Sequence, residues 1–222
     1  MPAENPYLAS CRVFGRIRMA KLIGLLLVCL SLVAVRDGRA MTVEPTDFDA
    51  LLNQAQEIYQ AQVVSISCDW SGEGANRHIA TFVRMRVLES YRGAVQGEQT
   101  LEFFGGTIGD RTQRIVGMPE FQAGDVEILF VRDNHRTLSP LVGVYYGRLR
   151  VVKNAVDGQE QMFLHDGTPL TSLSLIGKEP AARAKAPMTD ASGASTRPMS
   201  SKEFAEQIKA GLRRRGITPN EP

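Results

Sequence analysis

From residue 58 onward, apolar and polar side chains alternate with a period of two, in short runs separated by turn residues. That pattern predicts a chain built mainly of β-strands. The runs are Ile58–Asp69, Ile79–Leu88, Gln99–Phe104, Thr112–Val116, Val126–Arg132, Leu141–Val152 and Gln161–His165. Within the second, Ile79, Thr81, Val83, Met85 and Val87 share one face while Arg84 and Arg86 lie on the other, as in a half-buried strand. Arg92-Gly93, Gly105-Gly106, Ala123-Gly124-Asp125, Asp133-Asn134, Asp157-Gly158 and Asp166-Gly167 supply the turns. Two stretches follow the helical period instead. In residues 46–57, TDFDALLNQAQE, Thr46 or Asp47 caps a stripe of Phe48, Leu51, Leu52 and Ala55. In residues 201–216 the stripe is Phe204, Ile208 and Leu212, with Ser200 and Glu203 forming a capping box and Gly216 a stop.

Many short strands preceded by one helix predict a mainly β fold: a small closed or partly open β-barrel of the OB-like kind, or a sandwich. Gly143 and Gly147, inside the longest run, would give the tight coiling that closure needs. Residues 178–200 lack any apolar period and are rich in Ala, Pro, Ser and Thr, which predicts a flexible linker to a tethered C-terminal helix. That helix is too short to persist alone, because burying three large side chains contributes roughly 5–9 kcal/mol. Ordering its residues costs roughly 1–2 kcal/mol each. It therefore needs a docking surface, either its own barrel or a partner.

The first forty residues fall outside this pattern. Arg12, Arg16, Arg18 and Lys21 precede an apolar run from Leu22 to Val35, and Gly38-Arg39-Ala40 follows it, as in a secretory signal peptide over 1–40. Met19 is an alternative start, and a retained signal anchor is the rival reading. The expected localisation is secreted or periplasmic, with membrane contact only through an uncleaved signal. Cys68 is then the single thiol of the exported chain, so an internal disulfide is excluded. The overall charge of +2 also divides unevenly. Residues 41–177 hold 11 basic and 17 acidic side chains, and residues 178–222 hold 9 and 5. An acidic domain argues against nucleic acid as a partner, because that binding rests on neutralised phosphates.

Catalytic signatures are lacking. Gly105-Gly106-Thr107-Ile108-Gly109 is followed by neither a helical stripe nor a Lys-Ser/Thr pair, so its glycines turn one strand into the next and cradle no phosphate. His78, His135 and His165 lie far apart in sequence, and no metal-ligand spacing, GxSxG elbow or cofactor motif occurs. Asp125 and Glu127 have the spacing of a solvated strand face. The chain therefore reads as non-enzymatic, with no catalytic, metal or cofactor residues. Its candidate binding residues are aromatic and basic. Trp70 either caps the barrel mouth or anchors a partner, and Tyr145-Tyr146 would place one ring on each sheet face. Arg111 and Arg114 would line a shallow surface, and Phe204, Ile208 and Leu212 would bind a protein if the helix does not dock in cis.

The set Gly105, Gly106, Gly109, Gly117, Pro119, Phe121, Gly124, Asp125, Gly143 and Gly147, over residues 45–154, resembles a group of secreted bacterial proteins of uncharacterised activity. More distantly, the opening helix and strands are similar to the netrin/TIMP-like barrel of the OB class. The resemblance implies a protein-interaction module, with a secreted metalloprotease as candidate partner. The zinc-chelating N-terminal cysteine of tissue inhibitors of metalloproteinases has no counterpart here. The alternatives are a barrel for a small ligand or glycan, with Trp70, Tyr145 and Arg114 as its contacts, and an enzyme whose site is assembled from distant residues.

Overall fold

The computed structural model describes residues 44–179 and 197–220. The expected signal peptide and most of the expected linker lie outside the described residues. Helix α1 (Phe48–Gln54) starts where the Asp47 carboxylate accepts the Ala50 N–H at 2.8 Å. It stops where Ala55 turns extended and Gln56 enters the sheet by donating to the Val131 carbonyl. Then come β1 (Glu57–Ser71), β2 (His78–Arg92), β3 (Glu98–Phe104), β4 (Gly106–Ile108), β5 (Arg111–Gln113), β6 (Val126–Val131), β7 (Arg148–Lys153) and β8 (Glu160–Leu164). Helix α2 (Ser201–Arg214) ends the order, with the expected capping box formed and Gly216 at φ +70° beyond it.

Six strands form one antiparallel sheet in the order β3-β2-β1-β6-β7-β8, and β4-β5 is a separate hairpin. Strand β6, VEILFV, is buried on both faces, and this explains its nearly continuous apolar run. Ile128 and Phe130 face a core shared with α1, β7, β8 and α2. Leu129 and Val131 face a second core lined by Tyr59, Val83, Met85, Leu101 and Phe103. Phe204, Ile208 and Leu212 are fully buried in the first of these cores. The C-terminal helix thus docks on its own sheet, and its apolar stripe is not presented to a partner. Arg215 reinforces the docking, at 2.6 Å from Asp49 on α1.

The closed barrel is not formed, since β3 and β8 are unjoined sheet ends. Segment 132–141 instead folds along the outer side of β3. Phe104 N–H donates to the Leu138 carbonyl, and the Asn134 carboxamide accepts from Glu102 N–H and donates to the Thr100 carbonyl. One side-chain amide thereby stands in for a neighbouring strand residue. The edge of β8 is covered in a similar way by 168–170 and Met199.

Two expected strands are shorter than their apolar runs. Residues 141–147 form a tight turn, with Gly143 and Val144 both near φ +63° and Gly147 N–H returning to the Val142 carbonyl. A Cβ on Gly147 would lie 2.8 Å from that carbonyl oxygen, so glycine is required there for close approach and not for strand coiling. Past Gln113 the chain leaves the β4-β5 hairpin for a turn in which Met118 N–H reaches the Ile115 carbonyl.

Candidate functional site

Strand β1 runs on past the end of β6, while β2 stays flanked by β3 up to Ala80 and Ile79. Strand β6 pairs with β1 only over Glu57–Gln62, and the outer side of β1 receives its last backbone partners at Val63, from Gly124 and Asp125. From Ser65 to Ser71, β1 is paired on the β2 side alone among the described residues. Ile66 in this stretch is 39% exposed.

Trp70 lies near the end of this edge. The Arg77 guanidinium sits 4.6 Å from its ring centroid and the Arg111 guanidinium 5.9 Å. Arg77 comes from the loop between β1 and β2. Arg111 arrives because the chain folds over at Gly105-Gly106, where a Cβ on Gly106 would stand 2.7 Å from Cys68 Sγ and 2.8 Å from Thr81 Oγ1. Of the expected binding residues, Trp70 and Arg111 are therefore brought together. Arg77 was missed, although the antiparallel pairing of Trp70 with Ile79 places it at the hairpin tip beside the ring. Arg114 lies apart from the stack, mostly exposed and paired with Glu120 at 3.3 Å.

A second cluster occupies the same end of the hairpin, on the opposite face, where distant histidines converge on Glu102. His135 Nδ1 lies 2.6 Å from Glu102 Oε2, and His78 Nε2 lies 3.9 Å from Oε1. Ser71 Oγ donates to Oε1 at 2.5 Å. The Asn76 carbonyl 2.8 Å from His78 Nδ1 places a proton on that nitrogen, since a carbonyl only accepts. His78 also stacks on Phe104 at 4.2 Å. Burial pulls the Glu102 carboxyl upward, but the hydrogen bonds from Ser71 and His135 and the histidine charges outweigh it, so it ionises below its ordinary value. The serine donates to the carboxylate and not to an imidazole. Through Glu102, the cluster ties His135 to β3 beside the Asn134 contacts.

Glu127 corrects the expectation of a solvated strand face. It is fully buried and bonded to Arg148 Nη2 at 2.6 Å, and burial pushes its carboxyl up despite the arginine. Arg148 also donates to the Glu120 carbonyl at 2.5 Å and stacks 4.3 Å from the Phe121 ring, so it clamps the 117–121 loop onto the sheet. Tyr145 and Tyr146 do not divide between two faces. Their ring centroids are 4.6 Å apart, both rings meet His165, and the Tyr146 hydroxyl donates to Glu179. The turn at 141–147, replacing the expected strand, is the cause.

Open grooves run along the other end of β2. One, of about 520 Å³, is lined by Leu88, Glu89, Tyr91, Glu160, Ser201 and Lys209. Within it Lys209 pairs with Glu89 at 3.0 Å and Ser201 donates to Glu160. Among the described residues no group of three or more His, Cys, Asp or Glu side chains is arranged to hold a metal ion. Cys68 Sγ is half-buried, 3.5 Å from Thr81 Oγ1. The arrangement most open to a ligand is the uncovered outer edge of β1, with the aromatic and cationic hairpin tip at its end. Compared with protein families, curated proteins and solved structures, the chain finds no match.

Proposed function

We propose that this chain is an exported, non-enzymatic binding domain that engages a partner protein through the outer edge of β1 in the β1–β2 hairpin. The observation that carries the reading is the outer edge of β1 from Ser65 to Ser71. It lacks backbone partners among the described residues, while the edges of β3 and β8 are both covered by other segments. An uncovered strand edge is a template for pairing with another chain, and proteins ordinarily blunt such edges. The docked C-terminal helix withdraws the alternative surface of Phe204, Ile208 and Leu212. A secreted metalloprotease remains the candidate partner through the family resemblance, and the partly open OB-like barrel belongs to the same proposal.

The test is capture from an envelope-and-medium extract with tagged residues 41–222, compared with Ile66→Pro. Proline there removes an outward N–H without touching the β1–β2 ladder. One stoichiometric partner held by the wild type and lost by the folded variant supports the reading, and a zinc protease would identify its class. Equal retention by both, or by neither, refutes it. A second reading, a small-ligand or glycan site, draws on the half-exposed Tyr145 beside Tyr146 and His165.

A further inference from the structure

We propose that Arg77 and Arg111, held over Trp70, form a carboxylate clamp at the end of the β1 edge, and that its ligand is an acidic side chain of an extended partner segment. This deepens the binding reading above and rests on it. Both guanidiniums are on exposed residues, and among the described residues neither side chain has a hydrogen bond or ion pair. Asp69, Glu73 and Asp110 flank them in sequence without pairing with either, and the Asp69 carboxylate is turned instead to the Trp70 N–H at 2.7 Å. The ring holds the two cations by cation–π attraction and leaves their N–H forks free, the geometry that suits bidentate carboxylate recognition.

Register places this clamp in line with the open edge. Ile79 accepts the Gly105 N–H, so its backbone points toward β3. Its partner Trp70 therefore points its own backbone away from β2, and with period two so do Cys68 and Ile66. A segment pairing there would carry every second side chain past the Trp70 face. The strand's N–H and C=O groups match a peptide and not a sugar. Arg77 already occupies the neighbourhood of the ring that a sugar would stack on. The surrounding domain is acidic, with 11 basic and 17 acidic residues over 41–177, so recognition by the two guanidiniums would be local and salt-sensitive.

Trp70 is the single tryptophan of the chain, so its fluorescence reports on this site directly. The probes are a blocked Thr-Val-Glu-Val-Glu-Thr peptide, its Gln-for-Glu counterpart and a short oligogalacturonate, titrated into residues 41–222. The glutamate peptide should change the emission saturably and bind roughly tenfold or more tighter than the glutamine peptide, the difference expected of charge-assisted hydrogen bonds. The double variant Arg77→Gln/Arg111→Gln, substituted at exposed positions and checked for folding by circular dichroism, should lose that preference. Equal response to the two peptides, or an unchanged preference in the double variant, overturns the clamp. A response to the oligouronate alone overturns the peptide ligand, and no response to any probe overturns the site. If partner capture depends on Ile66 while the two peptides behave alike, the clamp falls and the edge reading stands.

Discussion

Replacing Phe204 with alanine tests whether α2 belongs to the fold or hangs from it. The ring is fully buried and packs 5.6 Å from the Phe48 ring, with Leu52 and Ile208 in the same core. Removing it subtracts the transfer free energy of the ring and leaves a cavity between α1, α2 and the sheet, together roughly 3–5 kcal/mol. Total stability for a domain of this kind is about 5–15 kcal/mol, so the loss is a large fraction of it. At about 2–4 °C per kcal/mol, Tm should fall by roughly 6–20 °C. The assay is thermal unfolding followed in parallel by far-ultraviolet circular dichroism and by Trp70 fluorescence. Trp70 sits near the tip of the β1–β2 hairpin and outside the core that holds α2. Coincident transitions, displaced together in the variant, are expected, because α2 fills a core that the central strand β6 also lines. An unchanged Tm, or a helical transition separate from the Trp70 transition, would refute the docking and return the helix to a tethered appendage.

Arg148→Met should cost about 3–5 kcal/mol in urea denaturation by stranding the buried Glu127, and Glu127→Leu/Arg148→Met should recover most of it. Recovery would fail if the arginine acted mainly through Phe121 and the Glu120 carbonyl. Glu102 ionises below its unfolded value of 4.5, so its contribution is present above that pH and is lost as the pH falls through its folded value. Urea midpoints measured from neutral pH into acid should therefore drop less steeply for Glu102→Gln than for the wild type. Asn134→Ala leaves the Glu102 N–H and Thr100 carbonyl without their edge partner, a loss of about 1–3 kcal/mol accompanied by concentration-dependent association on light scattering. Gly106→Ala should destabilise by about 1–3 kcal/mol, since its φ of +140° and the contacts with Cys68 and Thr81 both resist a Cβ.

Local pattern carried the elements well where the environment is uniform along a run. The period-two runs of β1, β2, β3 and β8, the continuous apolar run of β6, the Asp47 cap and the Ser200–Glu203 capping box follow from spacing and side-chain chemistry over a few residues. What spacing does not carry is which apolar face meets which. Leu141–Val152 has the composition of one strand, yet its first half turns, because Gly143 and Gly147 must admit the backbone close to Thr46, Val142 and Phe130. Glu127 looks like half of a solvated carboxylate pair until β7 brings Arg148 beside it, 21 residues further along. His78, Glu102 and His135 become neighbours only through the β2–β3 pairing and the fold-back of segment 132–141. The stripe on α2 signalled that the helix needs a surface, and only tertiary packing decided that the surface is its own sheet. Periodicity encodes which side of an element is apolar, whereas partner choice depends on contacts between residues distant in sequence, and a linear pattern holds no record of those.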